Sequence, residues 1–294
     1  MQKVLRPLSF GDLFDEVFDL YKRNFLLLAG IASVVYIPMA VIQIAAMLLV
    51  INPMQKINTS PNAPPHMPSA PTFAMIGALA VLMIILIPLA ILMQGAITRA
   101  ISSCYIDRKP TILETYKSVS PKILPIAGTS LITGAICLAA LILCCLPIIP
   151  AAIFLAFVPQ VVILEDISYV EAIKRSYQLA LYDWPRVFAV LILSMVLTWI
   201  CSCVASLPFT IIQFTRMAAG NMQPSALDQV LQTCSQSLVY AVVQPVALAT
   251  MVLLYYDIRV RKEGFDIQLL AHSLGHSNGS NGASSVPNVE EQQP

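Results

Sequence analysis

Residues 123–164 run 42 positions without one charged side chain. A helix needs about 20 apolar residues to cross a hydrocarbon core about 30 Å thick. Backbone exposed to lipid must also satisfy its hydrogen bonds internally, which leaves helices or closed barrels. The stretch predicts two helical crossings, with Pro147 and Pro150 at the turn between them. Four further uncharged blocks cover residues 25–51, 73–97, 187–215 and 229–256. With 57% hydrophobic and 11% charged residues, the chain lies outside the range of ordinary soluble domains. The reading is an all-α polytopic membrane protein with six transmembrane helices arranged as three hairpins. The fifth and sixth blocks exceed what a crossing needs, so their membrane portions are expected near 187–207 and 238–256.

Sorting of charge sets the orientation. With the N-terminus inside, the expected inner segments hold 15 of the 17 basic residues, leaving only Lys56 and Arg216 outside. Positive residues concentrate on the cytoplasmic side, so both termini are expected there, in the cell membrane. Residues 1–6 lead into an acidic amphipathic stretch, unlike a secretory signal peptide.

Three inner segments read alike. Each opens with a hydroxyl followed three positions later by an acid: Ser9/Asp12, Thr111/Glu114 and Ser168/Glu171. The first and third align without a gap, Phe18 with Tyr177, Leu20 with Leu179 and Phe25 with Trp184. The second aligns if one helical turn is missing, with Tyr116 and then Ile123. In the first copy Leu13, Phe14, Val17, Phe18, Tyr21 and Phe25 form one apolar face, while Asp12, Asp15, Glu16 and Asp19 form the other. Each hairpin is therefore preceded by an inner-surface amphipathic helix.

The predicted organisation follows. Residues 1–24 form an inner interfacial helix. Residues 25–97 form the first hairpin, with a Pro-rich outer loop at 52–72. Residues 98–122 form a second interfacial segment before the hairpin 123–164, and 165–186 form a third before the hairpin 187–256. An outer loop is expected at 208–237, in which residues 226–236 could form a short helix. A basic inner segment, 257–274, precedes a disordered tail, 275–294.

Ionisable residues within membrane spans mark functional sites, and none falls in the middle of a predicted span. The strongest polar groups at depth are glutamines, Gln43, Gln94, Gln160 and Gln244. They serve either as interhelical packing contacts or, for Gln94, Gln160 and Gln244, as the lining of a polar cavity. Arg108, Lys109, Lys174 and Arg175 could contact lipid headgroups, although the same cations already serve as topology signals. The seven cysteines show no zinc-type spacing. They are read as small buried residues, with a disulfide from Cys234 to Cys144 or Cys145 as the alternative. His66, His272 and His276 fall in the Pro-rich loop and the tail. No phosphate-binding glycine loop, nucleophile elbow or zinc-protease motif occurs, so no cofactor is expected.

The segments Leu5-Arg-Pro-Leu-Ser-Phe-Gly-Asp-Leu-Phe-Asp15, Gly95-Ala-Ile-Thr-Arg-Ala100 and Tyr255-Tyr-Asp-Ile-Arg-Val-Arg-Lys-Glu-Gly-Phe-Asp266 carry a family likeness. They resemble the membrane domain of glycerophosphoryl diester phosphodiesterase in bacteria. In fused members a separate hydrolase domain performs the chemistry with His, Glu and Asp around a divalent metal. This chain has no His-Arg-Gly motif, so the resemblance transfers no catalytic residue. It implies an integral membrane protein.

Two functions remain in play. One is a non-catalytic module that docks or positions a partner enzyme or assembly at the inner leaflet. The other is a carrier or permease for a lipid or small neutral molecule. The expected partners are membrane lipids, anionic ones among them, and a protein at the inner face. Nucleic acid is not expected.

Overall fold

The computed structural model describes residues 9–48, 70–106, 108, 110–142, 147–220 and 225–264; for 70–76 and 78–86 it describes the backbone alone. Most of the predicted Pro-rich loop, the tail 275–294, the three histidines and Lys109, Cys144 and Cys145 lie outside these residues. No strand occurs among the described residues. Ten α-helices run in chain order: α1 (Phe10–Arg23), α2 (Phe25–Ala46), α3 (Ala70–Tyr105), α4 (Ile112–Val119), α5 (Ile123–Ile142), α6 (Ile148–Phe154), α7 (Val158–Leu164), α8 (Tyr169–Tyr182), α9 (Trp184–Ala218) and α10 (Ala226–Glu263).

Among the described residues, five helical stretches are long and apolar enough to cross a membrane: Phe25–Ala46, Ile87–Tyr105, Ile112–Ile142, Trp184–Ala218 and Ala226–Glu263. The chain is therefore an all-helical membrane protein. The apolar stretch Ile148–Leu164 is shorter and is broken into α6 and α7. Ser176 of α8 repairs that break. Its hydroxyl donates to the Phe154 carbonyl at 2.7 Å and accepts the Phe157 N–H at 3.2 Å. Both backbone groups would otherwise be orphaned at a helix end.

Residues 208–237, expected as an outer loop, are helical on both limbs. α9 continues through Pro208 to Ala218, and α10 begins at Ala226 under a Ser225 cap whose side chain accepts the Asp228 N–H. Proline within a membrane helix is tolerated when neighbours satisfy the freed carbonyls. The helical stretch 226–236 is thus the first part of one 38-residue helix rather than a separate element. Likewise residues 70–72, expected as loop, open α3.

The aligned segments fold alike. α1 and α8 are each 14 residues long. Each ends on one non-helical residue, Asn24 or Asp183, before a long helix opens at Phe25 or Trp184. Leu13, Val17 and Leu20 are buried, and so are their counterparts Ala172, Ser176 and Leu179. Phe18 and Tyr177 are both exposed. In the shorter copy, Thr115 and Val119 of α4 occupy the buried positions, and a 3-10 turn, Ser120–Lys122, leads into α5. Pro121, lacking an N–H, suits that tighter turn.

The expected capping pairs differ. Ser9 and Asp12 exchange two hydrogen bonds at 3.2 Å. The Glu114 carboxylate accepts the Thr111 N–H at 3.4 Å. At the third copy the Ser168 side chain makes no cap bond. There Tyr169 has φ +57°, and its N–H donates instead to the Thr129 hydroxyl at 2.7 Å.

Burial divides the molecule into two zones. Large apolar side chains of α5 and α9, such as Leu131, Leu138, Met195 and Ile211, are exposed. By contrast, nearly all of residues 245–260 in α10 are buried, enclosed as α10 packs on α1, α2, α3, α8 and α9. The apolar character of the expected span 238–256 therefore serves protein packing as well as hydrophobic length. At about 1.5 Å per residue α10 is about 57 Å long, well beyond one bilayer core. Gly95 of α3 marks the tightest approach in this zone. A Cβ there would lie 2.8 Å from Val119 Cγ1 and 3.6 Å from Ile126 and Ile163. Gly264, at φ +58°, closes α10 in a left-handed cap.

Candidate functional site

Two polar constellations stand out against the apolar body, and sequence reasoning reached only part of each. The first is an ionic lattice around the C-terminal turns of α10. Arg175 of α8 grips Glu165 through Nε at 2.9 Å and a second guanidinium nitrogen at 3.2 Å. Its remaining nitrogen meets Glu263 at 2.6 Å. Arg259 reaches the same Glu263 at 3.1 Å and lies over the Tyr255 ring at 5.7 Å. The Tyr255 hydroxyl donates to Glu165 at 2.5 Å. Two acids and two arginines thus compensate one another in a nearly closed setting. Hydrogen bonding to Glu263, opposed by burial and reinforced by Glu165, raises the Arg175 pKa, so the guanidinium stays charged.

A neighbouring cluster centres on Asp257, whose side chain is fully buried. Arg186 of α9 approaches it at 3.2 Å and Arg261 at 3.0 Å. Among the described residues no group of three or more His, Cys, Asp or Glu is placed to hold a metal ion. The lattice has the chemistry of a clamp, joining α8, α9 and α10. The i,i+4 pairs Arg259/Glu263 and Asp257/Arg261 were readable on a helical pattern. Glu165 and Arg175 carried no such local sign, since they lie ten residues apart on no common helix and their further partners, Tyr255 and Glu263, lie about 90 residues away in the chain.

The expected headgroup cations separate. Arg108 and Lys174 are exposed. Arg175 is turned inward onto Glu165 and Glu263. Lys109 lies outside the described residues. Cys234 is exposed, and the cysteines proposed as its partners lie outside the described residues.

The second constellation is a groove of about 700 Å³ between α2, α9 and α10. Tyr36, Met39 and Gln43 line it from α2. Trp199, Ser202, Cys203 and Ser206 line it from α9, while Gln232, Thr233, Gln236, Ser237, Tyr240 and Gln244 come from α10. None of these side chains carries a formal charge. Tyr36 and Tyr240 stack across it with ring centroids 6.1 Å apart. The Gln236 amide donates to the Ser202 carbonyl at 3.2 Å, fixing α10 against α9. Of the three glutamines expected to line a cavity, Gln244 does so here. Gln94 is half-buried on α3. Gln160 is buried on α7 with its Oε1 unpartnered among the described residues. Gln43, which the sequence marked only as polar at depth, joins Gln244 in the groove.

Residues 113–258 match the sequence profile of a domain of unknown function, DUF7847. The match opens in α4 and closes just after Asp257, taking in the second and third copies of the repeated segment. No curated protein matches the chain. No solved structure matches it either.

Proposed function

We propose that this protein is a non-catalytic membrane module that positions a partner enzyme or assembly at the inner leaflet. The observation that carries this reading is the division of the molecule into two zones. One is an apolar bundle with exposed hydrophobic side chains. The other is a packed end, held by paired charges, whose outer surface carries exposed charged residues beside exposed aromatic ones such as Phe18 and Tyr177. On α1, Leu13, Val17 and Leu20 face the core, and Asp15, Asp19, Lys22 and Arg23 face out. A bilayer core does not accept such a face, whereas an aqueous partner does. Resemblance to a membrane domain fused to an enzyme supports the same reading.

On this reading the chain crosses the membrane six times as three hairpins, each led by α1, α4 or α8, with both termini cytoplasmic in the cell membrane. The crossing that the five long stretches leave out, fourth in chain order, is the broken pair α6 and α7, only 17 residues long. The distribution of Lys and Arg supports the orientation. Arg108 and Lys174, exposed and near the elbow helices, meet anionic headgroups.

The test is affinity purification of the full chain into native-lipid particles, with bound proteins identified by mass spectrometry. A near-stoichiometric partner, lost from Asp15→Lys/Asp19→Lys while membrane levels hold, is the expected result. Purification without any specific partner contradicts the docking role. The groove favours a second reading, a carrier for a lipid or small neutral molecule. In that case Gln244→Leu abolishes uptake measured in proteoliposomes.

A further inference from the structure

We infer that the groove between α2, α9 and α10 is a binding site for an uncharged amphiphile whose headgroup carries hydroxyl or amide groups. Such binding is compatible with docking a partner and with moving a cargo. Its first support is unmet hydrogen-bonding capacity. The enclosed Ser202 hydroxyl has no hydrogen-bond partner among the described residues. Beside it, half-buried Ser237 and Gln244 and exposed Gln43 line the same groove. Amides and hydroxyls withdrawn from water without partners are costly. A membrane-embedded groove that concentrates them is stable when something polar fills it.

Charge fixes the class. The lining residues include no Lys, Arg, His, Asp or Glu, so a phosphate or carboxylate entering the groove would leave its own charge unpaired in a poorly solvated site. Along α10 the lining runs from Gln232 to Gln244, about 18 Å at the rise of a helix. That length holds a headgroup and the upper part of an acyl chain, and is more than a small solute fills. The rim supplies the apolar side. Trp199 of the lining is exposed, as surfaces in contact with acyl chains are. The ligand therefore enters sideways from the bilayer, with its head among the glutamines and its chains along the Trp199 edge.

The probe is a diacylglycerol bearing a diazirine on one acyl chain, with its single free hydroxyl intact. It is incorporated into phosphatidylcholine vesicles containing the full-length protein, irradiated, and mapped by peptide mass spectrometry. Label should fall on 199–206 and 232–244, and unlabelled diacylglycerol should compete it away while anionic phosphatidylglycerol should not. Gln43→Leu/Gln244→Leu should lower specific labelling about tenfold, as loss of two neutral hydrogen bonds predicts. Competition on the unaltered protein is decisive even if that variant folds poorly. Label spread evenly around the bundle overturns the assignment, as does equal competition by phosphatidylglycerol. Efficient Cys203–Cys203 crosslinking between two chains in unirradiated vesicles does so too, because a second copy then fills the groove. A loss of partner proteins in pull-downs with diacylglycerol labelling intact would refute the docking role and leave this site standing.

Discussion

Asp257 is the residue whose surroundings most sharply separate a structural charge from a functional one. Its carboxylate is wholly enclosed and shared between Arg186 and Arg261. Removing one partner from a buried pair leaves the other charge uncompensated, which costs about 3–5 kcal/mol. Asp257→Ala should therefore lower the thermal unfolding midpoint steeply in detergent. Arg23→Ala, at an exposed pair with Asp19, should move it hardly at all, within about 0.5 kcal/mol. Equal effects would mean that the lattice is not the clamp described. A smaller test concerns Tyr21, whose hydroxyl donates to the Val242 carbonyl at 2.7 Å. Burial pushes its pKa up to about 12, so it remains a donor throughout the physiological range. Tyr21→Phe should cost about 1 kcal/mol, measured by the same unfolding assay.

Among elements, the elbow helices show what the sequence made legible. Periodicity identified Leu13 and Val17 among the buried positions of α1, but it also placed exposed Phe18 and Phe25 on that face and left out buried Leu20. The ungapped alignment pairs Leu13, Val17 and Leu20 with Ala172, Ser176 and Leu179 of α8, which are enclosed. The missing turn of the second copy is visible as the short α4 and its 3-10 exit. What the pattern could not show is long-range. Pro159, in the first turn of α7, was a local sign of the break between α6 and α7, but its repair by the Ser176 hydroxyl, 19 to 22 residues away, was not legible. Nor did turn-forming residues between 208 and 237 reveal that α9 and α10 extend through them. The groove was legible only at Gln244 and Gln43, since its other walls depend on which helices become neighbours. Gly95 tests the packing of these elements directly. Gly95→Ala should destabilise by about 1–3 kcal/mol despite the better helix propensity of alanine. Adding Val119→Ala should recover part of the loss, since the introduced methyl meets Val119 first. An additive double variant would show that the two sites do not touch.

At the scale of the molecule, two kinds of apolar surface coexist in one chain. The exposed face of α5 and α9 suits acyl chains, while the enclosed half of α10 is packed like the core of a soluble domain. Hydropathy alone does not distinguish them, which is why the most protein-buried segment was also read as a crossing. The charges do so in part: most paired acids and bases gather at the enclosed end, the uncharged groove lies along the other half of α10, and one further pair, Arg216 with Asp228, sits beyond it at the start of α10. On the proposed reading, a module of this form holds a polar platform against the membrane and leaves the groove open to lipid.

The most direct test of that arrangement is accessibility in membrane vesicles of known sidedness. Single cysteines are introduced at Lys22, Ser118, Lys174 and Ser225 in a cysteine-free background and treated with a membrane-impermeant maleimide. Lys22→Cys, Ser118→Cys and Lys174→Cys should react only in inverted vesicles, and Ser225→Cys only in right-side-out ones. Reaction of any of the three elbow positions from the outside would contradict the arrangement.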